Sequence, residues 1–175
     1  IEDHDNGRVA IPEFQRQYVW KPAKAAALLD SLYRRFPTGS LLYWRTSTAV
    51  ERKKKTKYGI REAEWIIDGQ QRTTSLSQIR SGDLDIWFNA QEPEFRKGSK
   101  KIENSRCWFR VRDIWDDQEY LAIQQLLSGL PPTHQQRCLN HLRLVRRILD
   151  YRIPVVRMID HPHDDAVTAF ERINT

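Results

Sequence analysis

The sequence predicts a domain of the α/β or α+β class, in which helices and short strands are mixed. Three observations carry this: a strand–helix–strand order over residues 8–45, a strand that breaks at a glycine and reopens as a helix over 65–79, and a shift to helical patterns from about Gln118. With 175 residues, 39% hydrophobic and 30% charged, the chain can bury a core of its own and falls outside the disordered class. No apolar run approaches the roughly 20 residues of a membrane-spanning helix, and no signal-peptide pattern opens the chain, so a cytoplasmic protein with no membrane partner is expected. The missing initial Met points to a trimmed or interior piece of a longer chain. Cys107 and Cys138 lack CxxC or Cys/His metal spacing, which predicts reduced, structural thiols, with a disulfide as the alternative.

Residues 1–10 read as a polar lead-in, although Arg8-Val9-Ala10-Ile11 has the character of a starting strand. Pro22 suits the first turn of a helix to about Arg35, with Ala25, Leu28, Leu29, Leu32 and Phe36 on its core face. Pro37-Thr38-Gly39 ends it, and Ser40–Arg45 follows as a strand. Trp65-Ile66-Ile67 is a bulky, buried strand, and Gln70–Ile79 is a helix with Leu76 and Ile79 inward. A turn at Ser81-Gly82-Asp83 leads to a strand at Leu84–Phe88, a mobile hairpin or loop at Gln91–Asn104, and a strand at Cys107–Val111. Two helices follow: one marked by Ile123, Leu126, Leu127 and Leu130, the other running Thr133–Tyr151 with Cys138, Leu142, Val145 and Leu149 on one face. Ile153–Ile159 is a last strand, and Asp164 caps a closing helix whose Ala166, Ala169, Phe170 and Ile173 form a stripe.

The chemistry concentrates where the strand ends, at Asp68-Gly69-Gln70-Gln71-Arg72. A strand that turns at glycine into a helix aims backbone N–H groups and the positive end of the helix dipole at one point, which suits a phosphate. Gly69 lets backbone approach a ligand, Arg72 offers a planar fork of donors, Asp68 can hold Mg2+, and Gln70 or Gln71 can orient a water or read a base edge. The plainer reading stands beside it: an ordinary turn, solvated glutamines, and an Arg72 paired with a neighbouring carboxylate.

Elsewhere the signals are weaker. In IPEFQRQYVW, residues 11–20, Arg16 either packs over the aromatics or is a second cation facing the same pocket as Arg72. Arg52, Lys53, Lys54, Lys55 and Lys57 form either a solvated loop or a sequence-independent DNA-backbone contact. The arginines of the helix over 133–151 read as solvated or paired, and His161-Pro162-His163 as a turn rather than a metal pair. The net charge of +6 and pI near 9.5 fit polyanion contact, yet such an excess is common on plain soluble proteins.

IPEFQRQYVW, FPTGSLLYW, WIIDGQQRTTSL and the closing AFERINT together resemble the N-terminal domain of GmrSD-type, modification-dependent (type IV) restriction enzymes, in the right order over residues 11–175. The resemblance implies an α+β fold similar to the ParB/sulfiredoxin group, with a mixed sheet, packed helices and a helical C-terminal part. It implies one domain over 11–175, a strand/helix core to about 115 and a more helical part over 116–175. It also implies nucleoside-triphosphate binding, with hydrolysis and Mg2+, regulating cleavage of modified DNA in phage defence. The matching positions are Gln15, Arg16, Tyr18, Trp20, Asp68, Gly69, Gln70, Gln71, Arg72, Phe170 and Asn174; beyond the match, nucleotide binding is expected of Gln15, Arg16, Tyr18, Trp20, Gly69, Arg72, Thr73 and Asn174, the chemistry of Asp68, Gln70, Gln71 and Arg72, and the metal of Asp68. Many family members continue into an HNH-type nuclease domain. This sequence has no HNH pattern and stops at Thr175, so cleavage by that route is not expected of it, and DNA is expected as a partner of the full-length enzyme, with a homodimer left open. The alternatives are a DNA-binding or ParB-like nuclease module, and a nucleotide-independent scaffold for a partner nuclease.

Overall fold

A computed structural model describes residues 9–12, 17–46 and 64–174. The fold is α+β, as expected. Its contacts divide the chain into two units, one of residues 1–19, 39–77 and 153–175, the other of residues 20–38 and 78–152.

In the first unit, strands β1 (Val9–Ala10), β2 (Leu41–Arg45), β3 (Glu64–Asp68) and β7 (Val155–Ile159) form one mixed sheet in the order β1-β3-β2-β7. β1 runs parallel to β3, β2 antiparallel to β3, and β7 parallel to β2. Successive side chains alternate between faces. Leu42, Trp44, Trp65 and Ile67 therefore share one face, covered by Ala166 and Phe170 of helix α7 (His163–Asn174), while Leu41, Tyr43 and Ile66 pack on the other with Ile11, Ile153 and Val155. Burial on both faces explains why Trp65-Ile66-Ile67 reads as an unbroken apolar run. The indole N–H of Trp44, buried with its ring, donates to the carbonyl of His161 at 3.0 Å. Helix α2 (Gln70–Ser81) opens in this unit immediately after β3.

The second unit holds helix α1 (Pro22–Tyr33), an antiparallel sheet of β4 (Ile86–Asn89), β5 (Glu94–Lys97) and β6 (Trp108–Arg110) in the order β5-β4-β6, and helices α3 (Lys100–Glu103), α4 (Val111–Trp115), α5 (Asp117–Leu127) and α6 (Pro132–Arg146), with a 3₁₀ turn at Arg147–Asp150. Leu28, Leu29 and Leu32 of α1 are buried, and the rings of Tyr33, Phe88 and Phe95 pack in tilted and edge-on contacts with centroids 4.8–6.0 Å apart. The Trp115 indole donates to the Val145 carbonyl at 3.1 Å, tying α4 to α6.

Several sequence expectations are corrected. Of the hairpin or loop expected over Gln91–Asn104, the hairpin alternative holds, since β5 pairs antiparallel with β4 and places Phe95 opposite Phe88, but a short helix, α3, follows that was not expected. Phe36 is exposed, because α1 stops at Tyr33 and Arg35 turns the chain with φ +61°, so the helical period no longer applies. Leu149 is also exposed, since the tighter 3₁₀ turn after Arg146 puts Ile148 inward instead. Leu126 and Ile173 are exposed as well. Asp164 lies inside the first turn of α7 rather than capping it: the helix begins at His163, with the Ala166 N–H bonded to the Pro162 carbonyl. Neither cysteine is in a disulfide; Cys138 is buried and Cys107 partly exposed.

Candidate functional site

β3 ends at Asp68 and Gly69 adopts φ +95°, a left-handed conformation that side chains disfavour. A Cβ there would also sit 2.2 Å from Cδ2 of Leu41, so the position is glycine for two independent reasons. The Thr73 N–H closes the first helical bond onto the Gly69 carbonyl at 3.0 Å, and the first turn of α2 carries no acidic side chain. Its leading N–H groups have no partners within the helix, as at any helix start.

Arg72 folds back over this turn. One terminal nitrogen, Nη2, donates to the Asp68 carboxylate at 2.9 Å and to the Ser40 carbonyl at 2.8 Å. A Cβ on Gly39, another left-handed residue at φ +81°, would lie 3.0 Å from Nη1, so two glycines line the guanidinium. The Arg72 side chain is 13% exposed and that of Asp68 34%, which leaves the carboxylate as the more accessible half of the pair.

Gln71 is buried and works as an amide clamp: its Oε1 accepts from the Val19 N–H at 2.9 Å and its Nε2 donates to the Gln17 carbonyl at 3.1 Å. One turn on, the Ser75 hydroxyl donates to the Gln71 carbonyl at 2.7 Å. Its single proton is then used, so the Tyr18 hydroxyl, 3.0 Å away, is the donor in the Tyr18–Ser75 bond. Thr73 Oγ1 bonds the carbonyls of Gly69 and Gln70 and is buried, as is Gln70.

The turn thus gathers three sequence stretches that are far apart in the chain: Gln17-Tyr18-Val19, Gly39-Ser40-Leu41, and Asp68 to Ser75. A fourth, the closing AFERINT, supplies Phe170 to the core face behind β3. The family model of the GmrSD restriction endonuclease N-terminal domain matches residues 1–175, the whole chain. The chain belongs to that family. No curated protein matches it. Membership gives the GmrSD domain a role in a restriction system, and so in defence.

Of the residues expected at the site, Tyr18, Asp68, Gly69, Gln70, Gln71, Arg72 and Thr73 come together in the first unit of the GmrSD domain. Trp20 belongs to the second unit, where the Lys24 ammonium lies 4.8 Å from its ring centre. Gln15, Arg16, Arg52, Lys53, Lys54, Lys55, Lys57 and the side chain of Asn174 lie outside the described residues. Sequence reasoning did not anticipate Gly39, Ser40, Leu41 and Ser75 as neighbours of the turn. The left-handed glycine in Pro37-Thr38-Gly39 was readable as a turn, but its partner, an arginine 33 positions on, was not. Among the described residues no group of three or more His, Cys, Asp or Glu is arranged to hold a metal, and no helix is long and apolar enough to cross a membrane.

Proposed function

We propose that the domain binds a nucleoside triphosphate with Mg2+ at the β3–α2 turn, and hydrolyses it, to regulate cleavage of modified DNA by the restriction enzyme to which it belongs. The observation that carries this reading is the Asp68–Arg72 pair, set between two left-handed glycines beside the start of a helix whose first turn has no acid. Helix N-terminal amides and a guanidinium fork are the donor set that phosphate oxygens use. Mg2+ keeps most of its waters and needs one or two carboxylates plus substrate phosphates, so a lone carboxylate with one oxygen committed to Arg72 fits that demand. In this reading the amides and Arg72 take phosphate oxygens, Asp68 holds the ion, and Gln71 keeps the segment around Tyr18 against the turn.

Calorimetric titration of the four ribonucleoside triphosphates with Mg2+ tests it. At least one is expected to bind, with affinity falling about tenfold or more in Arg72→Lys, which keeps the charge and loses the fork. Asp68→Asn is expected to remove the dependence on Mg2+. Phosphate release then separates binding from turnover. A folded chain that binds no triphosphate at millimolar concentration would remove the reading.

A further inference from the structure

The two units differ in charge. The first holds 12 basic and 12 acidic residues, the second 17 and 11, so the chain's entire net charge of +6 belongs to the second. Within it, residues 120–149 contain no Asp or Glu at all. Helix α6 occupies half of that stretch, burying Cys138, Leu142 and Val145.

The opposite face of α6 is polar and regular. Gln136, Asn140, Arg143 and Arg147 are spaced four, three and four apart, which places them in one stripe along the axis. Three of them are joined: Gln136 Nε2 donates to Asn140 Oδ1 at 3.1 Å and Arg143 Nη1 to the same oxygen at 3.4 Å. At the far end the Arg35 guanidinium donates to the Arg147 carbonyl at 3.1 Å and lies 5.9 Å from the Tyr151 ring, adding a cation there. Among the described residues neither Arg143 nor Arg147 is paired with a carboxylate, and both are exposed. Arg146, between them, points the other way, bonded to the Ile114 carbonyl, paired with Asp117 and stacked 4.5 Å from the Tyr120 ring centre. The helix therefore spends its inward arginine on the fold and leaves its outward ones to solvent.

We infer that this stripe is a docking surface for the backbone of duplex DNA. Charge complementarity selects a polyanion, and membership in a restriction endonuclease family makes DNA the polyanion at hand. From Gln136 to Arg147 the stripe spans about 16 Å, and each strand of a duplex carries one phosphate per about 3.4 Å of its axis, so the stripe is long enough for the two phosphate contacts its arginines can make. Its four side chains, Gln136, Asn140, Arg143 and Arg147, include no aromatic ring on which unpaired bases would stack, which favours a duplex over a single strand. The surface lies in the second unit, away in sequence from the β3–α2 turn and from the basic run at 52–57, so it stands independently of the nucleotide reading.

The test measures binding of a labelled duplex of about 20 base pairs to the 175-residue chain over a series of salt concentrations, without nucleotide. Arg143→Gln with Arg147→Gln is expected to weaken binding about tenfold or more and to make the salt slope shallower by about 1.8, two phosphate contacts at 0.9 each. Lys97→Gln with Lys101→Gln removes the same charge from the same unit and is expected to change affinity less than about twofold. Equal loss from both pairs, no loss from the first, or no binding by the unaltered chain at low salt would overturn the inference. Equal competition by duplex RNA of the same length would overturn the assignment to DNA. Arg72→Lys, read in the same assay, is expected to bind duplex normally, so a failed nucleotide site and a failed DNA surface remain distinguishable.

Discussion

Gly69 and Gln71 show how little freedom the central turn has. Alanine at 69 must hold a left-handed φ and push Leu41 aside, two penalties of about 1–3 kcal/mol each, so Gly69→Ala is expected to lose about 2–6 kcal/mol of stability in chemical denaturation. Gln71→Ala strands the Val19 N–H and the Gln17 carbonyl together; about 2–3 kcal/mol is expected, and hydrogen exchange at Val19 should accelerate more than at the core of β3. Gln71→Glu cannot donate to Gln17 and should destabilise comparably. The residue types at the turn were legible as a set, because a glycine between a strand and a helix has few uses. Their individual duties were not: an amide that can orient water can equally hold a backbone segment, and only the distant Gln17 and Val19 decide which bonds Gln71 makes in the fold. The pair of Asp68 and Arg72 is the one the plainer reading expects, but that reading's solvated glutamines are not found: Gln70 and Gln71 are both buried.

At the scale of elements, legibility followed apolar spacing. Helix α1 and strand β3 announce themselves through Leu28, Leu29 and Leu32 and through Trp65-Ile66-Ile67. Strand β5 does not, since Glu94-Phe95-Arg96-Lys97 contains a single apolar residue, and what makes it a strand is its pairing across to Phe88. Leu149 was misplaced for the complementary reason: a change from α to 3₁₀ geometry leaves no mark in the residue pattern. Helix α6 yields a pH-dependent expectation. Burial pushes the Cys138 thiol above its ordinary value, with the nearby Cys107 adding to the rise. The unfolded chain then loses this proton first as pH rises, so the stability that the neutral buried thiol supports is complete below about pH 8.5 and declines above it. Denaturation midpoints should fall more steeply above that pH in the unaltered chain than in Cys138→Ala. In the native state iodoacetamide should modify Cys107, and Cys138 only after unfolding.

For the whole molecule, the governing fact is that neither unit is a continuous segment, the chain passing between them after residues 19, 38, 77 and 152. No periodicity along a sequence reveals such an arrangement, because it is fixed by which strands pair; β7 sits in a stretch that otherwise reads as helical, and only its register with Leu41–Arg45 assigns it to the first sheet. Ending the chain at Arg152 is expected to remove β7 and α7, bare the face of Trp44, Trp65 and Ile67, and abolish exchange protection in β2 and β3, while β4, β5 and β6 keep theirs. Loss of protection in the second sheet as well would show that its folding depends on the first.

The same interleaving sets a timetable for biosynthesis. Every residue of the second unit has been polymerised before Ile153 is added, whereas the first unit is completed only by residues 153–175. At about 5–20 residues per second, the sheet's tryptophan-bearing surface waits roughly 1–5 s for its cover. A nascent chain paused in that interval leaves Trp44, Trp65 and Ile67 without the Ala166 and Phe170 that cover them, a surface a chaperone can hold.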